Sequence, residues 1–170
     1  MQKAVVDSEV AAKHLDRILG FFSRVEAKAS FLFAIDSALL GVIAINVQRN
    51  DFVVWYYLVT LAIAAVLICA SLYFVYRCVF PSLKGGHASL IYFREIAKLR
   101  EADYITKLKG VSEIELLDDM LGQVWRNSEI LGKKFDHVKT AFILTSLALI
   151  PWLAFLVLAG VNHPTLPVIK

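Results

Sequence analysis

Asp36 is the residue whose position most needs a chemical explanation, because it lies inside an apolar segment long enough to cross a lipid bilayer. A carboxyl group at the centre of a membrane helix costs roughly 2.5–3.5 kcal/mol on translocon scales, so such groups usually face protein or water. At a similar depth, the other two long apolar segments carry hydroxyl groups. The sequence therefore predicts a polar layer within the membrane, formed by Asp36, Ser37, Ser71, Thr145 and Ser146.

Two interpretations of this polar layer are open. In an oligomer the side chains would form a ring that acts as a gate or constriction. In the local alternative, Asp36 bonds Thr145 within one subunit and only sets the register of two helices. The gate predicts that Asp36→Ala abolishes membrane activity without reducing insertion.

A second group of residues has the chemistry to bind a nucleotide. A planar base needs an aromatic surface to stack on, and a phosphate needs cations or free amides. Aromatic and basic side chains occur next to each other outside the apolar segments, although such pairs are also common on solvated helices. The candidate ligand-binding residues are Tyr92, Phe93, Arg94, Trp125, Arg126, Lys133 and Lys134.

The sequence carries no recognisable catalytic or metal-binding motif. The sequence has no HExxH, GxSxG or P-loop pattern and no paired Cys/His cluster. We therefore expect no enzyme activity, no catalytic residue, no metal ligand and no cofactor. Basic and acidic residues are mixed rather than clustered, so a nucleic-acid polymer is not an expected partner.

Composition and apolar segments define the fold class. Of the 170 residues, 58% are hydrophobic, more than the interior of a soluble domain of this size holds. Three segments have the length of membrane-spanning helices, at 29–47, 52–76 and 141–161. Only a short polar turn at 48–51 separates the first two, which predicts a helical hairpin over 29–76. The predicted fold is all-α, an integral membrane protein with three transmembrane helices and a helical cytoplasmic module.

The distribution of Lys and Arg predicts the orientation. Of the 18 basic residues, five lie in 1–28 and eleven in 77–140, whereas the 48–51 turn and the 162–170 tail carry one each. The positive-inside rule then places the amphipathic helix of 1–28 and the helical module of 77–140 in the cytoplasm. The C-terminal tail of 162–170 is predicted to lie outside.

Periodic patterns predict the helices of the cytoplasmic segments. A helix is expected to start near Ser89 and to stop at Gly110. Ser112 and Glu115 form an S-x-x-E capping box, which marks the start of the next helix. From there, apolar residues at alternating steps of three and four continue into the third span, which predicts one helix of about 50 residues. Whether this seam packs within the monomer or also joins protomers is left open.

Three blocks of the chain resemble the transmembrane effectors of bacterial Pycsar anti-phage systems. Residues 26–41 (EAKASFLFAIDSALLG) are similar to the signature of their first span. Residues 92–97 (YFREIA) are similar to the aromatic motif after their second span, and residues 123–134 (QVWRNSEILGKK) to their third block. The resemblance covers nearly the whole chain, and Lys28, Asp36 and the Tyr-Phe pair are its most specific features.

The resemblance implies a function that composition and spacing do not show. In that family a partner cyclase answers infection by making a cyclic pyrimidine nucleotide, cUMP or cCMP, and the effector then impairs the bacterial inner membrane. It implies an inner-membrane protein. We also expect the protein to contact membrane lipid and to form a homo-oligomer. The alternative is a non-enzymatic membrane scaffold or channel accessory subunit that docks a soluble partner.

Overall fold

The computed structural model describes residues 7–47, 54–80, 86 and 88–162. The predicted turn at 48–51 and nearly all of the predicted tail lie outside the described residues. The described part is helical and contains no strand, which confirms the all-α class. The helices are α1 (Ser8–Asn46), α2 (Trp55–Val79), α3 (Phe93–Ile96), α4 (Glu101–Gly110) and α5 (Glu113–Asn162).

Three of these helices, α1, α2 and α5, are long and apolar enough to cross a membrane, by length and composition. The helix α1 begins where Asp7 accepts a hydrogen bond from the backbone amide of Val10 at 2.8 Å. Such a cap satisfies one of the amides left free at a helix start. The helix α1 then includes residues 8–28 of the predicted amphipathic segment and residues 29–46 of the predicted first span.

The predicted capping box starts α5. The backbone amide of Ser112 donates to Glu115 Oε2 at 2.9 Å, and the backbone amide of Glu115 donates to Ser112 Oγ at 3.3 Å. The helix α5 is 50 residues long and contains Pro151. The sequence-based length of about 50 residues is thus confirmed.

The prediction of a single helix from near Ser89 to Gly110 is wrong about its start and its continuity, although α4 does end at Gly110. Ser89 lies outside the helices, and the helical segment is divided into α3 and α4, with residues 97–100 outside both. The amides of Lys98 and Leu99 bond the carbonyls three residues earlier, as in a tight turn. Arg100 then adopts an extended conformation before α4. Neither Gly nor Pro marks this break in the sequence.

The chain divides into two compact units, each described here by itself. The module unit comprises Met1–Val25 and Pro81–Lys134, and the membrane unit comprises Glu26–Phe80 and Phe135–Lys170. The helices α1 and α5 contribute residues to both units.

The core of the membrane unit lies between α1, α2 and α5. The rings of Tyr57 and Phe155 lie 4.9 Å apart and are completely buried. The indole Nε1 of Trp152 donates to the carbonyl of Leu39 at 3.1 Å. Small side chains let the helices approach closely, as membrane helices often do. The buried core residues are Leu39, Ile43, Tyr57, Ala64, Ile68, Ala148, Phe155 and Ala159.

Candidate functional site

The membrane unit contains a buried polar cluster that joins all three long helices. Thr145 Oγ1 on α5 donates to Asp36 Oδ1 on α1 at 2.9 Å. Ser71 Oγ on α2 lies 2.8 Å from Thr145 Oγ1 and 3.1 Å from the carbonyl oxygen of Ala141. Asp36 and Ser71 are completely buried. The cluster therefore sets the register of α1, α2 and α5 within one chain.

The hydrogen bonds of this cluster leave the carboxyl of Asp36 only partly satisfied. Asp36 Oδ2 has no hydrogen-bond partner among the described residues. The cluster contains three close oxygen–oxygen contacts. If the carboxyl is ionised, only two hydrogens are available for these contacts, one on Ser71 and one on Thr145.

Two members of the predicted polar layer lie apart from this cluster. Ser37 and Ser146 are exposed on the surface of the membrane unit. Ser146 Oγ donates to the carbonyl of Phe142 within its own helix at 2.8 Å. The hydrogen bond between Asp36 and Thr145 corresponds to the local alternative, and the structure of one chain leaves the ring untested.

The module unit contains a second polar network, centred on Ser89. Its hydroxyl donates to Asp119 Oδ2 at 2.9 Å and accepts from Gln123 Nε2 at 3.0 Å. It also accepts from the backbone amides of Ile91 at 3.1 Å and Tyr92 at 2.9 Å. Ser89 and Gln123 are buried. The network fixes the turn before α3 against α5.

A small pocket of about 320 Å³ opens beside this network. Its lining includes Glu115 and Asp119, so it presents carboxylates rather than cations. Asp119 Oδ2 accepts a further bond from the backbone amide of Leu90 at 2.9 Å. Ala88, also in the lining, has a φ of 57°, a conformation that residues other than Gly rarely adopt. Hydroxyl or amino groups of a ligand would suit this pocket.

The capping box at one side of the pocket has a defined charge. The backbone amide and the hydroxyl of Ser112 both bond the carboxylate of Glu115. These bonds lower the pKa of Glu115 from its usual value of 4.5. Glu115 is therefore ionised at neutral pH.

Arg126 supplies a cation to the module unit. A Cβ atom on Gly86 would lie only 2.6 Å from Cζ of Arg126, so the guanidinium packs directly against this glycine. The Nε atom of Arg126 is buried and has no hydrogen-bond partner among the described residues. A guanidinium with an unused donor suits a phosphate.

The other predicted ligand-binding residues are placed differently. The side chains of Phe93 and Trp125 are 64% and 67% exposed. The Phe93 ring contacts the Tyr92 ring edge to face at 5.0 Å, and Tyr92 belongs to the Ser89 turn. Arg94 is exposed on α3. The structure thus brings Tyr92 to the turn that Ser89 organises, with the Phe93 ring against it.

The two lysines of α5 have separate surroundings. Lys133 is exposed and bonds Glu129 at 2.7 Å. Lys134 is buried, and its Nζ atom lies 5.7 Å from the ring centroid of Phe22. Lys133 therefore has an ordinary surface ion pair, and Lys134 a packing role.

Sequence reasoning missed Ser89, Asp119 and Gln123 as a polar network. Asp119, Gln123 and Arg126 occur at steps of four and three, so they share one face of α5. This row of polar residues was the signal in the sequence that pointed to the network. It was missed because the helix was interpreted from its apolar residues. Ser89 carried no comparable signal, because its partners are about 30 residues away in sequence.

Three apolar helices and an all-helical module define a multi-span membrane protein, and the described residues hold no group of three potential metal ligands. The family model of the Pycsar effector protein domain, PycTM, matches residues 10–160. The chain therefore belongs to this family. Neither a curated protein nor a solved structure matches the chain. Family membership gives the protein an effector role in antiviral defence and links it to cyclic pyrimidine nucleotide signalling.

Proposed function

We propose that the protein is a non-enzymatic inner-membrane effector that cUMP or cCMP activates. A partner cyclase makes the nucleotide, which binds the module unit in the cytoplasm, and the membrane unit then impairs the bilayer. The N-terminus lies in the cytoplasm and the C-terminus outside. The observation that carries the proposal is α5, one unbroken helix that bears both Asp119 and Arg126 near its start and Thr145 further on.

The binding step uses the groups around the Ser89 turn. The exposed ring of Phe93 offers a surface for the pyrimidine base. Arg126 supplies a guanidinium for the cyclic phosphate, which would uncover the buried Nε atom that has no hydrogen-bond partner among the described residues. Asp119 accepts a hydrogen bond from the ribose 2′-hydroxyl, as carboxylates do in other nucleotide sites. The nucleotide thereby competes for partners that hold the turn before α3 against α5.

The output step uses the buried polar cluster. A shift or rotation of α5 would move Thr145 away from Asp36 and leave the carboxyl without a donor in the bilayer. A carboxyl without a partner in lipid favours contact with water or with polar groups of another subunit. In a homo-oligomer this rearrangement opens the membrane.

The test combines calorimetry with leakage from liposomes that contain the full-length protein. We expect cUMP or cCMP to bind and cause leakage, and cAMP and cGMP to do neither. Arg126→Gln should weaken binding roughly tenfold or more, since a charge-assisted hydrogen bond contributes about 1.5–3 kcal/mol. Lys109→Gln, which removes an exposed lysine of α4, is the control and should bind normally. Equal leakage with and without nucleotide would refute activation by the nucleotide.

The alternative, a membrane scaffold or channel accessory subunit, has one observation in its favour. Trp125 is a large aromatic side chain exposed on the module unit, as at protein docking surfaces. A stable soluble partner that co-purifies, together with no leakage at any nucleotide concentration, would support the scaffold. Trp125→Ala should then release that partner.

A further inference from the structure

An apolar groove of about 840 Å³ runs along the surface of the membrane unit between α1 and α5. Its floor includes buried side chains such as Leu32 and Val138. Its walls are aromatic, since Phe31 and Phe142 line it and are 68% and 61% exposed. Leu149 marks the end that lies deepest along α5. The groove thus lies on two candidate membrane spans and faces outward.

Two lysines line the opposite end of the groove. Lys28 precedes the apolar part of α1, and Lys139 precedes the apolar part of α5. Among the described residues, neither ε-amino group forms an ion pair with a carboxylate. The Nζ atom of Lys28 lies 5.8 Å from the ring centroid of Phe135, another residue of the lining. Two cations without counter-ions therefore lie where the apolar groove begins.

The length of the groove matches one leaflet of a bilayer. Lys139 and Leu149 are ten positions apart on α5. At 1.5 Å per residue this spans about 15 Å, half of a hydrocarbon core of about 30 Å. A chain anchored at the lysines would end near Leu149.

We propose that this groove binds one acyl chain of an anionic phospholipid, whose phosphate lies between Lys28 and Lys139. Basic residues at the membrane boundary between helices are suited to anionic head groups. A second copy of the chain fits the groove less well. All copies have the same orientation in the membrane, so a twofold pairing through the groove would bring lysines at the same depth towards each other.

The site also touches the polar cluster. Thr145 and Ser146 line the groove, and Thr145 is the donor to Asp36. An acyl chain in the groove would cover this face of α5 and keep water from the bond between Thr145 and Asp36. The lipid site does not depend on nucleotide binding.

Native mass spectrometry of the full-length protein in neutral detergent tests the site. Phosphatidylglycerol, phosphatidylcholine with the same chains, and glycerol phosphate are added in separate titrations. We expect each chain to retain one phosphatidylglycerol molecule. Phosphatidylcholine should bind more weakly, and glycerol phosphate should not be retained. The double variant Lys28→Gln, Lys139→Gln should weaken the binding of phosphatidylglycerol roughly tenfold or more, because each lysine near an anionic surface contributes about 1 kcal/mol.

A variant and a control separate the site from general effects. Ser146→Trp fills the groove without removing a charge and should reduce phosphatidylglycerol retention as strongly. Lys133→Gln removes a lysine of α5 outside the groove and should leave phosphatidylglycerol retention unchanged. Equal retention of the two phospholipids, or unchanged retention in both groove variants with native helix content, would overturn the proposal. The proposal would also be overturned if disulfide cross-links between groove positions joined two chains in the presence of excess phosphatidylglycerol.

Discussion

Thr145 Oγ1 donates to Asp36 Oδ1 at 2.9 Å, while the second carboxyl oxygen of Asp36 has no partner among the described residues. Ser71 extends this bond to α2. The cluster has fewer donors than acceptors when Asp36 is ionised. The carboxyl of Asp36 is therefore only partly hydrogen-bonded within the cluster.

Replacement of Asp36 by Asn should stabilise the membrane unit and lock the protein in its resting form. The Asn amide carries no charge, and its nitrogen at the position of Oδ1 would donate to Thr145 Oγ1. The Thr145 hydroxyl could then donate to Ser71, so each of the three contacts would have its own hydrogen. We expect a gain on the order of 1 kcal/mol, or a rise in Tm of about 2–4 °C for a chain of this length. Thermal unfolding in detergent measures the gain, and nucleotide-dependent liposome leakage should fall.

The matched variant Asp36→Ala removes both the carboxyl and its bond with Thr145. It should insert normally, because an apolar residue favours the bilayer. If Asp36→Asn leaks as strongly as the wild type, the cluster is a structural clamp and has no part in the output.

Ser89→Ala should loosen the turn before α3. It removes the donor to Asp119 and the acceptor for Gln123 and for the amides of Ile91 and Tyr92. Because buried groups lose their partners, we expect the free energy of unfolding to fall by about 1–3 kcal/mol. Denaturant titration measures this, and hydrogen exchange should accelerate at the amides of Ile91 and Tyr92.

Ser128→Ala is the control for that variant. Ser128 is an exposed serine of α5 whose hydroxyl donates to the carbonyl of Val124 in its own helix. Its replacement should change stability by less than about 0.5 kcal/mol. Equal effects of the two variants would contradict the network at Ser89.

Gly86→Ala should displace the guanidinium of Arg126 at little cost in stability. The added Cβ would clash with the end of a flexible side chain, which moves more easily than backbone. We therefore expect nearly unchanged unfolding but nucleotide affinity reduced about tenfold, as for loss of one charge-assisted bond. Calorimetry with cUMP and cCMP measures the affinity. Gly132→Ala, where nothing lies within 4 Å of the added Cβ, should bind like the wild type.

Acidic pH should destabilise the first turn of α5. Bonds from Ser112 lower the pKa of Glu115 below 4.5, so the carboxylate stabilises the helix start fully above that value. This stabilisation is lost as the pH falls through the lowered pKa. Hydrogen exchange at the Ser112 amide, corrected for the intrinsic pH dependence, should accelerate in that range. In Glu115→Gln the acceleration should be absent, and a flat wild-type profile would argue against the box.

Local patterns in the sequence account for most of the helices. The apolar lengths predicted three spans, and the described helices include three that satisfy the same criterion. The Ser112–Glu115 spacing predicted the start of α5, because a capping box involves only four neighbouring residues. The break between α3 and α4 escaped prediction, since no Gly or Pro marks it. The hydroxyl of Tyr104 on α4 lies 3.5 Å from the carbonyl of Leu90, fourteen residues earlier, and such a contact leaves no local pattern in the sequence.

Sequence alone determined that Asp36 lies within a membrane span and that hydroxyl groups occur at a similar depth in the others. Only the tertiary structure decided that Ser71 and Thr145 reach Asp36, whereas Ser37 and Ser146 face outward. The physical reason is that the rotation of a helix about its axis depends on packing against its neighbours. Depth follows from counting residues along one helix, but the partner of each side chain depends on residues more than 70 positions away.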